Sequence, residues 1–112
     1  MPRQSLGELE LLLLLALMRL GPGAYGAALR QEILARSGRS VSPGAIYPTL
    51  DRLEQRGLIR SRPSDPVPER GGRSRRLFEL RPTGLRELQR AWRQYALLVR
   101  GFERALDPES GS

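Results

Sequence analysis

Residues 42–59, SPGAIYPTLDRLEQRGLI, constrain this chain more than any other stretch. Ser42 is suited to cap a helix, and Pro43 falls at the first helical position, where its missing N–H costs nothing. Ile46, Leu50 and Leu53 recur on one face at helical spacing. Gly57 supplies the left-handed residue that ends such a helix. Leu58-Ile59-Arg60-Ser61-Arg62 then alternates as a strand does, and after fourteen intervening residues Leu77-Phe78-Glu79-Leu80-Arg81 alternates again. The pattern predicts a helix, a sharp turn and a β-hairpin with a long loop.

The preceding segment adds a helix over about 24–36, with Leu29, Ile33 and Leu34 inward and Gly38 ending it. Together with the 43–56 helix it makes a helix-turn-helix. The hairpin loop after it would be the wing of a winged helix-turn-helix. A first helix is expected over 6–20, started by a Ser5–Glu8 capping box and stopped by Gly21-Pro22-Gly23. It is apolar nearly all round. Leu9, Leu12, Leu13, Ala16, Leu17 and Leu20 form one face, and Leu11, Leu14, Leu15 and Met18 a second, so both must be covered, which one small domain rarely does and a partner chain would.

A last helix is predicted from 83 to 106. In it Leu85, Leu88, Trp92, Tyr95, Val99, Phe102 and Leu106 recur at spacings of 3 and 4, an a/d register over three heptads. Its e and g positions are mostly uncharged, so the seam should pack against a further helix, the first one. The fold expected is mainly α with a small β-hairpin. Residues 1–82 form the winged helix-turn-helix, 83–106 a C-terminal dimerisation helix and 107–112 a flexible tail. Leu11 and Leu15 of the first helix join the seam residues Leu85, Leu88, Trp92, Tyr95, Val99 and Phe102 in a homodimer interface.

Charge narrows the function. The formal net charge is +7, carried by nineteen arginines and no lysine. Residues 39–81 hold ten arginines against five acids, so +5 of the +7 lies in the helix-turn-helix and wing. That concentration points to double-stranded DNA. The exclusive use of arginine is read as codon bias of a GC-rich genome, because arginines far from the wing share it. Arg86, Arg90, Arg93 and Arg100 on the last helix are read as solvated. No cysteine or histidine is present. Disulfides, zinc sites and the commonest catalytic bases are therefore excluded, and neither an enzyme nor a cofactor is expected. The apolar run 11–18 is far short of the roughly 20 residues that span a bilayer. Acids precede it, unlike in a signal peptide, and a cytoplasmic protein is expected.

With Ile46, Leu50 and Leu53 inward, a helical wheel places Ala45, Pro48, Thr49, Arg52 and Arg56 on one exposed flank. Tyr47, Asp51 and Glu54 lie on the other. Carboxylates repel phosphates, so the Arg52 flank is expected to face DNA. Thr49 offers a methyl to thymine, and Arg52 a fork to guanine. Tyr47 and Arg39 would reach phosphates. Ser42 lies with them at the helix start, where capping alone also accounts for it. Arg73, Arg75 and Arg76 of the wing loop would follow phosphates or enter the minor groove.

These residues resemble the PadR family of transcriptional regulators. The resemblance rests on Tyr47-Pro48-Thr49-Leu50, Arg52-Leu53-Glu54 and Gly57-Leu58-Ile59, and on the wing element Gly72-Arg73-Ser74-Arg75-Arg76, Leu77-Phe78 and Gly84. It departs from the family pattern at Leu77, at Arg81, in its long wing and at Tyr25-Gly26-Ala27. It implies a homodimeric repressor that binds an inverted-repeat operator and is released by a small molecule. Trp92 and Tyr95, closed over by Leu14 or Met18, would make an apolar slot at the two-fold axis for a flat aromatic effector. The alternative is a winged-helix protein-interaction module that does not bind an operator.

Overall fold

The computed structural model describes residues 5–64 and 75–109. In chain order the elements are α1 (Glu8–Leu20), β1 (Ala24–Tyr25), α2 (Gly26–Ser37), α3 (Pro43–Gln55), β2 (Ile59–Pro63), β3 (Arg76–Leu80), α4 (Pro82–Val99) and α5 (Glu103–Leu106). The three strands form an antiparallel sheet in the order β1-β3-β2. β2 and β3 pair from Ile59↔Leu80 to Pro63↔Arg76. Beyond the strands, the Ser64 N–H donates to the Arg75 carbonyl and the Arg75 N–H to Ser64 Oγ at 2.9 Å, which closes the root of the wing.

Three expectations are corrected. The hairpin is a three-stranded sheet, because residues 24–25 pair with β3 (Ala24↔Phe78, Tyr25↔Leu77) instead of opening the second helix. Two residues are too few to show alternation, so no sequence pattern marked β1. The first helix begins at Glu8, not at residue 6. Its start is held not by Ser5 and Glu8 but by Glu10, whose carboxylate accepts the Gly7 N–H at 2.8 Å. The last helix is not continuous to Leu106: it ends at Val99, and Gly101 turns the chain at φ 92° before the single turn of α5. The apolar heptads run straight across this break, so periodicity alone could not reveal it.

The core lies between α1, α2, α3 and the sheet. Leu13, Leu14, Leu17, Leu29, Ile46, Leu50, Leu53, Ile59 and Phe78 are each buried. α1 is covered on most of its circumference by its own chain. α4 docks onto α1 through Leu88, which is also buried. The entry of α4 depends on Gly84. A Cβ there would lie 2.3 Å from the Leu58 carbonyl oxygen, so only glycine lets the helix approach the α3–β2 junction this closely. Thr83 Oγ1 donates to the Gly57 carbonyl at the same joint. Among the described residues no helix is long and apolar enough to cross a membrane.

Candidate nucleic-acid interface

α3 is built as the sequence predicts. Ser42 Oγ accepts the Ala45 N–H at 3.2 Å, Pro43 opens the helix, and Gly57 turns the chain at φ 75°. Pro48 lies inside the helix, where it cannot donate to the Gly44 carbonyl. It is exposed, as are Gly44, Tyr47, Asp51, Arg52 and Gln55. These six residues form the outward ridge of α3, opposite Ile46, Thr49, Leu50 and Leu53.

That ridge differs from the flank the helical wheel proposed. Thr49 is only 2% exposed, so it cannot meet a base. Its hydroxyl donates to the Ala45 carbonyl at 2.8 Å and accepts from Arg52 Nη2 at 3.0 Å. Thr49 thus holds Arg52, and Arg52 is the exposed guanidinium of the ridge. Arg56 is also turned away. Its guanidinium lies 3.3 Å from Glu10 of α1, with the two side chains 18% and 13% exposed. This pair ties the end of α3 to the start of α1, because the same carboxylate caps α1.

The remaining candidates divide in the same way. Arg76 does not project freely from the wing. It lies at its root, with Nη1 3.0 Å from Asp51 and Nη2 2.6 Å from Glu54, and its guanidinium is 5.0 Å from the Phe78 ring centroid. Arg75 sits 5.3 Å above the Tyr25 ring, a cation–π distance. Arg73 lies outside the described residues. Arg39 pairs with Glu8 at 2.9 Å on the surface. Tyr47 is 42% exposed, and its ring lies close against the backbone of Gly26 at the start of α2. Ser42 is exposed and serves as the cap. Sequence reasoning missed Glu10, Glu54, Ser61 and Tyr25 as the partners that fix these arginines. Each such contact joins residues distant in sequence.

The expected dimer and effector residues also separate. Leu14 and Leu88 are buried in the chain's own core, so neither can line a surface between two copies. Leu11 is half-buried against that core. Trp92 is 72% exposed, and Tyr95, Leu97, Leu98 and Phe102 are exposed beside it, while Val99 is half-buried. Exposed Leu15 and Met18 edge an open groove of about 360 Å³ between α1 and α2, floored by Leu12, Ala16 and Ile33. Glu32 at its rim takes both Arg19 and Arg36 on one oxygen, and the Arg36 and Arg19 hydrogen bonds hold its carboxyl below the usual range.

Residues 14–90 match the model of the transcriptional regulator PadR-like family. The chain belongs to that family. It is 45% identical over 80 residues to Transcriptional regulator Rv3488 of Mycobacterium tuberculosis, an overlap of 69% of this chain and 70% of that protein. Its fold is similar to that of a PadR family transcription regulator from Clostridium difficile R20291, with TM-score 0.71 and 22% identity over 89% of this chain and 99% of the other. It is also similar to F93 from STIV, a winged-helix DNA-binding protein, with TM-score 0.67 and 22% identity over 86% and 96% of the two chains. The protein is thus a PadR-family transcriptional regulator with a winged-helix fold, and not an enzyme. The PadR pattern at 47–59 coincides with α3 and its turn into the sheet.

Proposed function

We propose that this PadR-family protein is a homodimeric cytoplasmic repressor that binds an inverted-repeat operator through α3 and is released by a small aromatic effector. The observation that carries the DNA reading is the exposed ridge of α3. On it Arg52 stands outward, its guanidinium held by the hydroxyl of buried Thr49. A donor-only fork fixed at its base suits the O6 and N7 acceptors of guanine. The wing arginines Arg73 and Arg75 would add phosphate contacts that carry no sequence information. Two copies related by a two-fold axis would present their α3 helices about one helical turn of DNA apart, roughly 34 Å or a multiple.

Arg52→Ala is expected to cost about 1–3 kcal/mol of operator affinity and to relax preference at one base position per half-site. Binding isotherms at fixed salt, together with selection from random DNA, measure both. Unchanged affinity and unchanged preference would remove α3 from base recognition.

The effector reading rests on the exposed aromatic stripe of α4. Trp92 and Tyr95, facing their counterparts across a two-fold axis and bordered by Met18, would form an apolar slot in which a planar ring stacks. A ligand there would change the spacing of the two α3 helices and so their fit to the operator. Trp92 is the chain's single tryptophan. Titration with planar aromatic compounds is expected to quench or shift its emission and to weaken operator binding over the same concentration range. Quenching without any effect on DNA binding would separate the slot from regulation.

A further inference from the structure

The wing-side flank of α3 carries two carboxylates, Asp51 and Glu54, although α3 is the helix proposed to meet DNA. The structure treats them differently. Glu54 is consumed inside the protein. Its oxygens accept from Arg76 Nη2 at 2.6 Å, from the Ser61 N–H at 3.0 Å and from Ser61 Oγ at 2.8 Å, which binds the helix to β2 and β3. Asp51 is 53% exposed, on the outward ridge directly before Arg52. Only its Oδ1 is engaged, by Arg76 Nη1 at 3.0 Å, and its Oδ2 has no hydrogen bond among the described residues.

We propose that Asp51 is a specificity-determining residue that accepts a hydrogen bond from the exocyclic N4 amine of a cytosine in the major groove. The inference rests on the reading of α3 as the DNA-contacting helix. A carboxylate is an acceptor only. The major-groove edges of guanine (N7, O6) and thymine (O4) offer only acceptors and repel it. Adenine sets its N7 acceptor beside its N6 donor. Cytosine offers an amine with no acceptor of its own on that edge. Arg76 supplies the condition that makes such a residue tolerable near phosphates. Its single positive charge, shared between Asp51 and Glu54, offsets part of their negative charge and engages Oδ1 of Asp51, which lowers the repulsion from the DNA backbone and leaves Oδ2 to act as an acceptor. Glu54, Ser61 and the Phe78 ring hold Arg76 in place, which makes Arg76 a positioning residue. Asp51 and Arg52, adjacent on the ridge, thus pair an acceptor with a donor and would read a cytosine and a neighbouring guanine.

The test is selection of bound sites from random duplex DNA by the full-length wild-type chain and by Asp51→Ala and Asp51→Asn. Circular dichroism would show that each variant is folded. The wild type is expected to select cytosine at one position of each half-site. Asp51→Ala should lose that preference, keep the rest of the motif, and bind non-specific DNA more tightly because a negative charge has gone. Asp51→Asn should move the preference from cytosine towards adenine, whose N6 and N7 suit an amide. A change in base identity at one position is something a purely structural role for Asp51 cannot produce. The same motif from all three proteins would overturn the assignment of Asp51 and leave the operator reading intact. If the wild type selects no motif, the operator reading fails and this assignment fails with it.

Discussion

Replacing Trp92 and Val99 together by glutamate is expected to give a folded monomer that binds the operator about 10²- to 10⁴-fold more weakly than the wild-type dimer. The choice of residues follows from where the apolar side chains of α4 stand. Leu88, on the same stripe, is buried against α1 in its own chain. A glutamate there would place a charge in the core and unfold the protein, whatever its oligomeric state. Trp92 is 72% exposed and Val99 half-buried, and neither belongs to the buried core cluster. Exposed Tyr95, Leu98 and Phe102 extend the same apolar surface. A monomer rarely leaves so large a contiguous patch in water. Introducing charge at Trp92 and Val99 should therefore destabilise an association without touching the core. The affinity loss follows from valency. Two linked half-site contacts gain about 10²- to 10⁴-fold over one through effective concentration, and a monomer forfeits this. Sedimentation velocity gives the mass, and binding isotherms on an inverted repeat and on a single half-site give the ratio. A double variant that still sediments as a dimer would refute the α4 interface.

Phe78→Ala should be the most destabilising single truncation in the wing, lowering the free energy of unfolding by about 3–5 kcal/mol. Phe78 is fully buried and lies in the central strand of the sheet, opposite Ala24 of β1 on one side and Ser61 of β2 on the other. Its backbone carbonyl also accepts the Gly23 N–H at 3.2 Å. Removing the ring opens a cavity beneath all three strands at once. It also removes the face over which Arg76 lies, and Arg76 holds Asp51 and Glu54 of α3. The variant should therefore lose sequence preference in DNA binding even under conditions where it remains folded. Against a total stability of about 5–15 kcal/mol for a protein of this kind, the loss would be plain in urea denaturation at matched protein concentration. A loss under about 1 kcal/mol would mean that the sheet relaxes around the missing ring.

Much of this was legible in the chain because its signals are local. The capped start of α3, its inward Ile46, Leu50 and Leu53, the turn at Gly57 and the alternation of β2 and β3 each lie within a few residues. Backbone sterics and burial periodicity act over that range. The concentration of arginine between residues 39 and 81 is likewise a property of sequence, and so is the PadR pattern it overlaps. The N-terminal apolar helix was recognisable as needing cover on two faces. The cover was misjudged as a partner chain: α2, α3, the sheet and α4 of the same chain enclose Leu13, Leu14 and Leu17, leaving Leu15 and Met18 outside.

The tertiary structure alone decided which polar side chains are available. Thr49 lies one residue before the inward Leu50, and the helical wheel placed it on the exposed flank. Packing buries it and turns its hydroxyl into the support of Arg52. Arg56 and Glu10 are 46 residues apart, and Arg76 and Asp51 are 25 apart. No periodicity relates such positions, because an ion pair depends on how the elements dock and not on the pattern within either element. The same holds for Ala24 and Tyr25, which are a strand only because β3 offers its open edge. Sequence thus determined the helices up to α3, the hairpin strands β2 and β3, the inward residues of α3 and the sign of the charge, all set by local conformation and hydrophobic period. Long-range docking determined which arginines are committed to carboxylates and which stands outward on α3, since a side chain's freedom is fixed by its neighbours in space.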